Sequence, residues 1–292
     1  MISVIITAYK EHRTIGRAIE AFLANDLGKD YEIIVSAPDK ETLDVVHTYA
    51  KKNKRIKTIV DEGKGKPAAL NMVFKKAKGD ILVLTDGDVY VGDNSINLIL
   101  EKFKDEKIGA VSGHPVSLNS RKKMLGYWSH VLAGVADLRR KIAVRDGKRF
   151  FCSGYLFAMR KGLVDEIPTE TLSDDGYMSL LVYKKGYKLD YSPNSLVYIQ
   201  YPTNFSDWII QKRRSAGGYN QIKAWTKEEM RSFKKEAGGA FQVFKFVNGP
   251  KELFWIFVLF FSRIYLWMLI FIDINIKKKE SKKIWLRVES TK

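Results

Sequence analysis

Ile81-Leu82-Val83-Leu84 is an apolar run with no polar face, and it ends on Thr85-Asp86-Gly87-Asp88. A strand of that composition is buried on both sides, as in a parallel sheet covered by helices. It delivers two carboxylates to the strand's C-terminal end, where open parallel sheets place their ligands. Aspartates this close repel each other, and a divalent cation with oxygen ligands, Mg or Mn, relieves the repulsion, commonly together with substrate phosphates. The plainer alternative is an Asp-Gly turn between two strands.

The surrounding pattern supplies the helices that such a strand needs. Ile2 to Ile6 reads as a strand, and Thr14 precedes Ile15, Ala18, Ile19, Phe22 and Leu23, spaced as one helical face. Strand 32–35 is followed by a weaker face of Leu43, Val46 and Ala50. Strand 56–60 leads to a helix with Leu70, Val73, Phe74 and Ala77, closed by Gly79. After the acidic tip, Asp93 or Asn94 can cap a helix with Ile96, Ile99, Leu100 and Phe103 inward, and Ile108 to Val111 gives another strand. The repeated β-α unit predicts an α/β fold, a mostly parallel sheet flanked by helices with chemistry at one edge. Beyond Ser112 the alternation fades into a helical stretch from Arg121 to Arg145 with a cationic end, Arg139-Arg140-Lys141; Gly147 and Gly217-Gly218 mark loops.

A formal charge of +17 over 292 residues points to an anionic partner: nucleic acid, an anionic membrane surface or a phosphorylated substrate. One cysteine, Cys152, excludes an intrachain disulfide and a cysteine metal cage, which suits a reducing compartment. Met1 leads straight into a strand, so no signal peptide is expected. Leu253 to Ile272 is apolar apart from Ser262 and Arg263, long enough to cross a hydrocarbon core, with a buried core helix as the alternative. Lys277, Lys278, Lys279, Lys282, Lys283 and Arg287 follow, a polybasic tail suited to anionic headgroups. Both flanks are basic, so a span satisfies the positive-inside rule on one side only, whereas an in-plane or partly inserted helix with Trp255, Trp267 and Trp285 at the interface removes the conflict; the sequence points to membrane attachment and leaves the topology open.

Four further stretches carry chemistry-bearing residues. Thr7-Ala8-Tyr9-Lys10-Glu11 follows the first strand, where a ring and a carboxylate can hold a base and ribose, or the acid can simply favour a helix N-terminus. Lys64-Gly65-Lys66-Pro67-Ala68-Ala69-Leu70-Asn71 opens a helix suited to phosphate but lacks the Walker spacing. Ser173-Asp174-Asp175-Gly176 is either a helix N-cap or a general base site. Gln211-Lys212-Arg213-Arg214-Ser215 is either a solvated basic face or a clamp on phosphate charge.

Together these stretches resemble family 2 glycosyltransferases of the GT-A fold, particularly the membrane-associated branch of hyaluronan, chitin and cellulose synthases. Residues Val4 to Ile15 are similar to that family's nucleotide-binding opening, with Ala8 where proline is common. Gly65-Lys66 to Ala69-Leu70-Asn71, Asp86-Gly87-Asp88, Ser173-Asp174-Asp175 and the Ser153-Gly154 segment match its motifs in order. Two positions depart: the family's acidic pair after the second strand falls on Ser36-Ala37, with Asp39 nearest, and Ser215 stands where Gln-x-x-Arg-Trp has tryptophan. The second departure, with only one long apolar segment following, counts against processive polymer synthesis.

The resemblance implies a catalytic domain over residues 1–225 and a membrane-associated segment over 226–292. It implies an inverting, metal-dependent transfer of a sugar from a UDP- or GDP-sugar to a hydroxyl, on a lipid-linked or oligosaccharide acceptor at the cytoplasmic membrane face. Asp175 is the implied catalytic base. Ala8, Tyr9, Glu11, Asp39, Lys66, Asp86 and Gly87 are the implied nucleotide-sugar contacts, with Asp88 on Mn or Mg. Gln211, Arg214, Gly154 and Asp174 serve the diphosphate and acceptor. The nearest rival is a polyprenyl-phosphate sugar synthase, which Arg139 to Lys141 would suit. A non-catalytic basic module for membranes or nucleic acid is the rival of another class, and nucleic acid is not an expected partner.

Overall fold

Four apolar segments, β1 (Ile2–Thr7), β2 (Tyr31–Ala37), β3 (Ile56–Val60) and β4 (Ile81–Asp86), lie parallel in the spatial order β3-β2-β1-β4. Their register sets Thr7 opposite both Ser36 and Asp86, so the C-terminal ends of the central strands share one edge. In this computed structural model, which describes residues 1–228, 240–273 and 290–291, the crossovers are α1 (Ile15–Leu23), α2 (Lys40–Lys52) and α3 (Lys66–Lys76). Each buries the face expected from its spacing: Ile15, Ala18, Ile19 and Phe22 on α1, Leu43 and Val46 on α2, Leu70, Val73 and Phe74 on α3.

The other half of the sheet brings in antiparallel pairings. β5 (Val89–Val91), α4 (Ser95–Lys102), β6 (Ile108–Ser117), α5 (Met124–Arg145), β7 (Phe157–Arg160), α6 (Asp174–Lys184) and β8 (Lys188–Ile199) follow in chain order. β7 runs antiparallel between β4 and β6, and β5 antiparallel to β8, completing eight strands in the order β3-β2-β1-β4-β7-β6-β8-β5. The turn at Gly87-Asp88 is therefore real but closes no hairpin, because β4 and β5 pair with different strands.

The described residues fall into two compact units, one of 1–116 with 140–199 and one of 117–139 with 200–291. The first is built on the sheet, with Ile5, Ile34, Leu70, Leu82, Phe157 and Met159 at its centre. The second is helical. It contains the start of α5, α7 (Phe205–Thr226), a 3-10 helix (Ala240–Phe246) and α8 (Pro250–Phe271), packed around Tyr127, Trp128, Trp208, Ile256, Leu259 and Leu266. Lys277 to Arg287, with Trp285, lies outside the described residues.

Three glycines act differently from expectation. Gly217-Gly218 sits inside α7 rather than in a loop: Gly218, Gln221 and Ile222 are buried, and that packing offsets the ~1 kcal/mol a helical glycine costs. Gly79 follows α3, but Ala77 is the helix's C-cap, and Gly79 matters for its size, since a Cβ there would fall 2.3 Å from the Ser3 amide nitrogen.

Beside that contact sits the buried carboxylate of Glu32, on β2. It accepts from the Ser3 hydroxyl at 2.7 Å, the Lys57 ammonium at 2.6 Å and the Lys78 amide at 2.6 Å. Burial pushes the carboxyl up, but these donors outweigh it and hold it below the usual range. A depressed value means the charged form stabilises the fold above the unfolded pKa, and that contribution is lost as pH falls through the folded one. Glu32→Gln is expected to cost ~2 kcal/mol at neutral pH, with the deficit shrinking in acid; denaturant unfolding of both proteins across that range checks it.

Candidate active site

The acidic tip of β4 is pressed against the loop after β1. The Gly87 amide donates to the Thr7 carbonyl at 3.1 Å, and a Cβ at Gly87 would lie 2.4 Å from a Glu11 carboxylate oxygen and 2.9 Å from Ala8. No side chain fits there, which explains glycine between the two aspartates. The loop itself is braced by Asp39, whose carboxylate accepts from the Lys10 amide at 2.8 Å and caps α2 through the Thr42 amide at 3.0 Å. Lys10 takes a left-handed backbone, φ 54°, that this bond holds in place. Burial opposes ionisation of Asp39, yet the Thr42 hydroxyl and these amides keep its carboxyl below the ordinary range. Tyr9 is exposed, while Ala8 and Glu11 are buried.

Lys66 joins the tip to the acidic pair on α6. α3 opens on Gly65, whose φ of 101° only glycine adopts without strain, with Pro67 in the first turn. That start places the Lys66 ammonium 2.7 Å from Asp86 and 3.3 Å from Asp174. Burial works against its charge, but Asp174 and Asp86 raise it above the usual lysine value, and Asp175 contributes. Burial raises the Asp174 carboxyl, against the pull of Lys66, and the charges of Asp175 and Asp86 add to the rise. Three carboxylates from β4 and α6 are thus gathered around one cation.

Asp175 is held differently. One of its oxygens accepts from the Ser173 hydroxyl and the Gly176 amide, both at 2.7 Å, and the other from the Gly154 amide at 2.9 Å. Ser173 is at the N-cap position of α6, yet its hydroxyl serves Asp175 rather than a helix amide. A further hydroxyl ties this arrangement to β4: Thr85 donates to the Tyr155 carbonyl at 2.7 Å, fixing the loop that offers Gly154. Sequence reasoning offered Ser173 as a helix N-cap and gave Thr85 no role; the one available signal for Thr85 was a hydroxyl in an otherwise apolar strand just before Asp86.

The first unit therefore brings together Ala8, Tyr9, Glu11, Asp39, Lys66, Asp86, Gly87, Asp88, Gly154, Asp174 and Asp175, all at or near the aligned strand ends. Gln211 and Arg214 belong to α7 in the second unit, where the adjacent Arg213 pairs with the buried carboxylate of Asp273. Among the described residues, no group of three His, Cys, Asp or Glu side chains is placed to hold a metal ion. Asp88 beside Asp86 suits a hard cation that completes its shell with phosphate oxygens and water, the usual arrangement for Mg and its relatives.

The family model described as glycosyltransferase like family 2 matches residues 1–218. A probable glycosyltransferase, YdaM, of Bacillus subtilis is 28% identical over 241 residues, covering 76% of this chain and 56% of that protein. The poly-beta-1,6-N-acetyl-D-glucosamine synthase of Staphylococcus aureus is 25% identical over 231 residues, 76% of this chain and 55% of that protein. The chain thus spans about half the length of the curated relatives it matches. Among solved structures, the mannosyltransferase PcManGT of Pyrobaculum calidifontis, in complex with GDP-Man and Mn2+, superposes with a TM-score of 0.64 at 17% identity, over 96% of this chain and 88% of that one. TarS of S. aureus with UDP-GlcNAc gives 0.53 at 16% identity, over 85% and 71%. These likenesses bear out the expected fold.

Lys66→Met is expected to lower stability by about 2 kcal/mol at neutral pH, because partly buried acids lose their counter-charge. The deficit should narrow in acid as those carboxyls protonate; thermal unfolding of both proteins across pH reads this directly, and a pH-independent difference would contradict it.

Proposed function

Because this chain belongs to glycosyltransferase family 2, we propose that it transfers a sugar from a nucleotide-sugar to an acceptor hydroxyl, with inversion, and that residues 1–225 form the catalytic domain. The observation that supports this most strongly is the arrangement of Asp175. A carboxylate offers about four lone-pair sites; three here accept from Ser173, Gly176 and Gly154, which fixes its direction. The remaining site accepts the acceptor's hydroxyl proton as that oxygen attacks the anomeric carbon. No covalent enzyme intermediate is required.

On the donor side, Tyr9, Glu11 and Asp39 border the nucleoside, and Asp86, set by Lys66, faces the ribose or sugar. Asp88 would hold Mn or Mg together with donor phosphates, and such an ion, when bound, neutralises charge on the departing diphosphate. Lys66 supplies positive charge to the same place. Asp174, held by Lys66, lies beside the base on the acceptor side. Membrane association through 226–292, at the cytoplasmic face, completes the reading and suits a lipid-linked or oligosaccharide acceptor.

One observation keeps a second reading of the acceptor, a polyprenyl phosphate. The guanidinium of Arg140, in the first unit, sits 5.7 Å from the Tyr191 ring centre and acts electrostatically on the Cys152 thiol, which also feels Asp175. A cation there suits a phosphate-bearing acceptor. Offering polyprenyl phosphate and oligosaccharides with each nucleotide-sugar separates the two.

Asp175→Asn is expected to retain donor binding and lose transfer by a factor of ~10² or more; near-normal turnover would remove the residue from its role. Asp88→Ala is expected to abolish the Mn-dependent thermal shift produced by a nucleoside diphosphate, whereas an undiminished shift would place the ion elsewhere.

A further inference from the structure

We infer that α8 attaches the protein to an anionic bilayer by lying in the plane of its surface, one face in the lipid, and does not cross it. This rests on the membrane reading above and deepens it. α8 is long and apolar enough to span, yet only 28% of its apolar window is buried, which argues against a core helix. The buried face is Ile256, Leu259, Ser262, Leu266 and Ile270, at three- and four-residue spacing. The other face exposes Phe254, Phe257, Phe261, Ile264, Met268 and Phe271, with Phe261 at 70% and Phe254 at 63%. Phe241, 78% exposed on the 3-10 helix, adds to the apolar surface of this unit.

Both ends of α8 are tied to the helices of its own unit. Ahead of it, the Tyr127 hydroxyl donates to the Phe246 carbonyl at 3.0 Å, and on its second turn the Trp128 indole donates to the Trp255 carbonyl at 2.8 Å. Past its far end, Asp273 pairs with Arg213 of α7. Further on, the Ser290 amide donates to Asp207 at 2.8 Å and its hydroxyl accepts from the Thr203 amide at 3.2 Å. The helix between Trp255 and Asp273 is ~27 Å long, close to the hydrocarbon thickness of ~30 Å. A span would send these anchored ends to opposite sides of the membrane. Either the tethers break, or α7 enters with its Asp207, Lys212, Arg213 and Arg214, each costly in lipid. Lying in the plane keeps every tether and wets only the apolar face.

The charge identifies the occupant of that face. Exposed Lys245 and Lys251 flank the start of α8, the sequence after it carries five lysines between 277 and 283, and the chain is strongly cationic overall. Anionic headgroups complement that pattern, whereas a second copy would bring the same positive charge to the contact.

The test uses the full chain with vesicles of phosphatidylcholine, alone or mixed with phosphatidylglycerol. Flotation with the mixed vesicles should be salt-sensitive and fall about tenfold or more when Phe254, Phe257 and Phe261 are replaced by serine, while the nucleotide-dependent thermal shift of that variant persists. Cysteines introduced as Lys251→Cys and Lys278→Cys should both react with an impermeant maleimide on intact vesicles; native Cys152 is buried. Reaction at one position only, until detergent is added, overturns the in-plane arrangement and leaves membrane association standing. Absence of flotation overturns both and leaves the enzymatic reading intact. A lipid-independent dimer that the serine variant dissolves assigns the face to a second copy and also overturns the inference.

Discussion

The site depends on one ammonium group. Asp86 arrives from a sheet strand and Asp174 and Asp175 from a helix start, and without a cation their mutual repulsion would push β4 and α6 apart. Lys66 resolves this from a third element, because glycine and proline at the opening of α3 aim its first turn at the strand edge. The lysine is thereby the fixed charge around which the three acids are arranged.

Around that charge, backbone groups do the finer positioning. Gly87 lets β4 lie against the Ala8 to Glu11 loop, and Gly154 and Gly176 lend amides to Asp175. Fixed dipoles of this kind need no reorganisation during a reaction, which is how a preorganised site stabilises developing charge. The result is two differently built acids side by side: Asp174 partly buried and lysine-bound, Asp175 bound by neutral donors with room for one more.

Much of this was legible in the sequence because period and composition speak plainly where both faces of a strand are buried. β1 to β4 and the inward faces of α1 to α3 follow from apolar spacing, and the acid pairs stand at element ends where a reader looks for them. β7 was not legible: four residues, Phe157 to Arg160, in an irregular region carry no period. Gly217-Gly218 misled because glycine weakens an isolated helix, and only tertiary packing reveals that α7 runs through it. The Lys66 bridge and the Thr85 and Ser173 contacts join residues distant in sequence or facing by rotamer, and no local pattern encodes such pairs. The C-terminal segment was readable as apolar, but its one-sided burial and its tethers belong to the fold.

The central claim is that one sugar ring lies between the Asp88 tip and the Asp175 carboxylate. A crystal structure with Mn and an unreactive nucleotide-sugar addresses it most directly. The account requires the diphosphate and ion at Asp88, with the anomeric carbon open toward Asp175 on the face away from the leaving group. A donor bound elsewhere, or one with Asp175 on the leaving-group side, would contradict it.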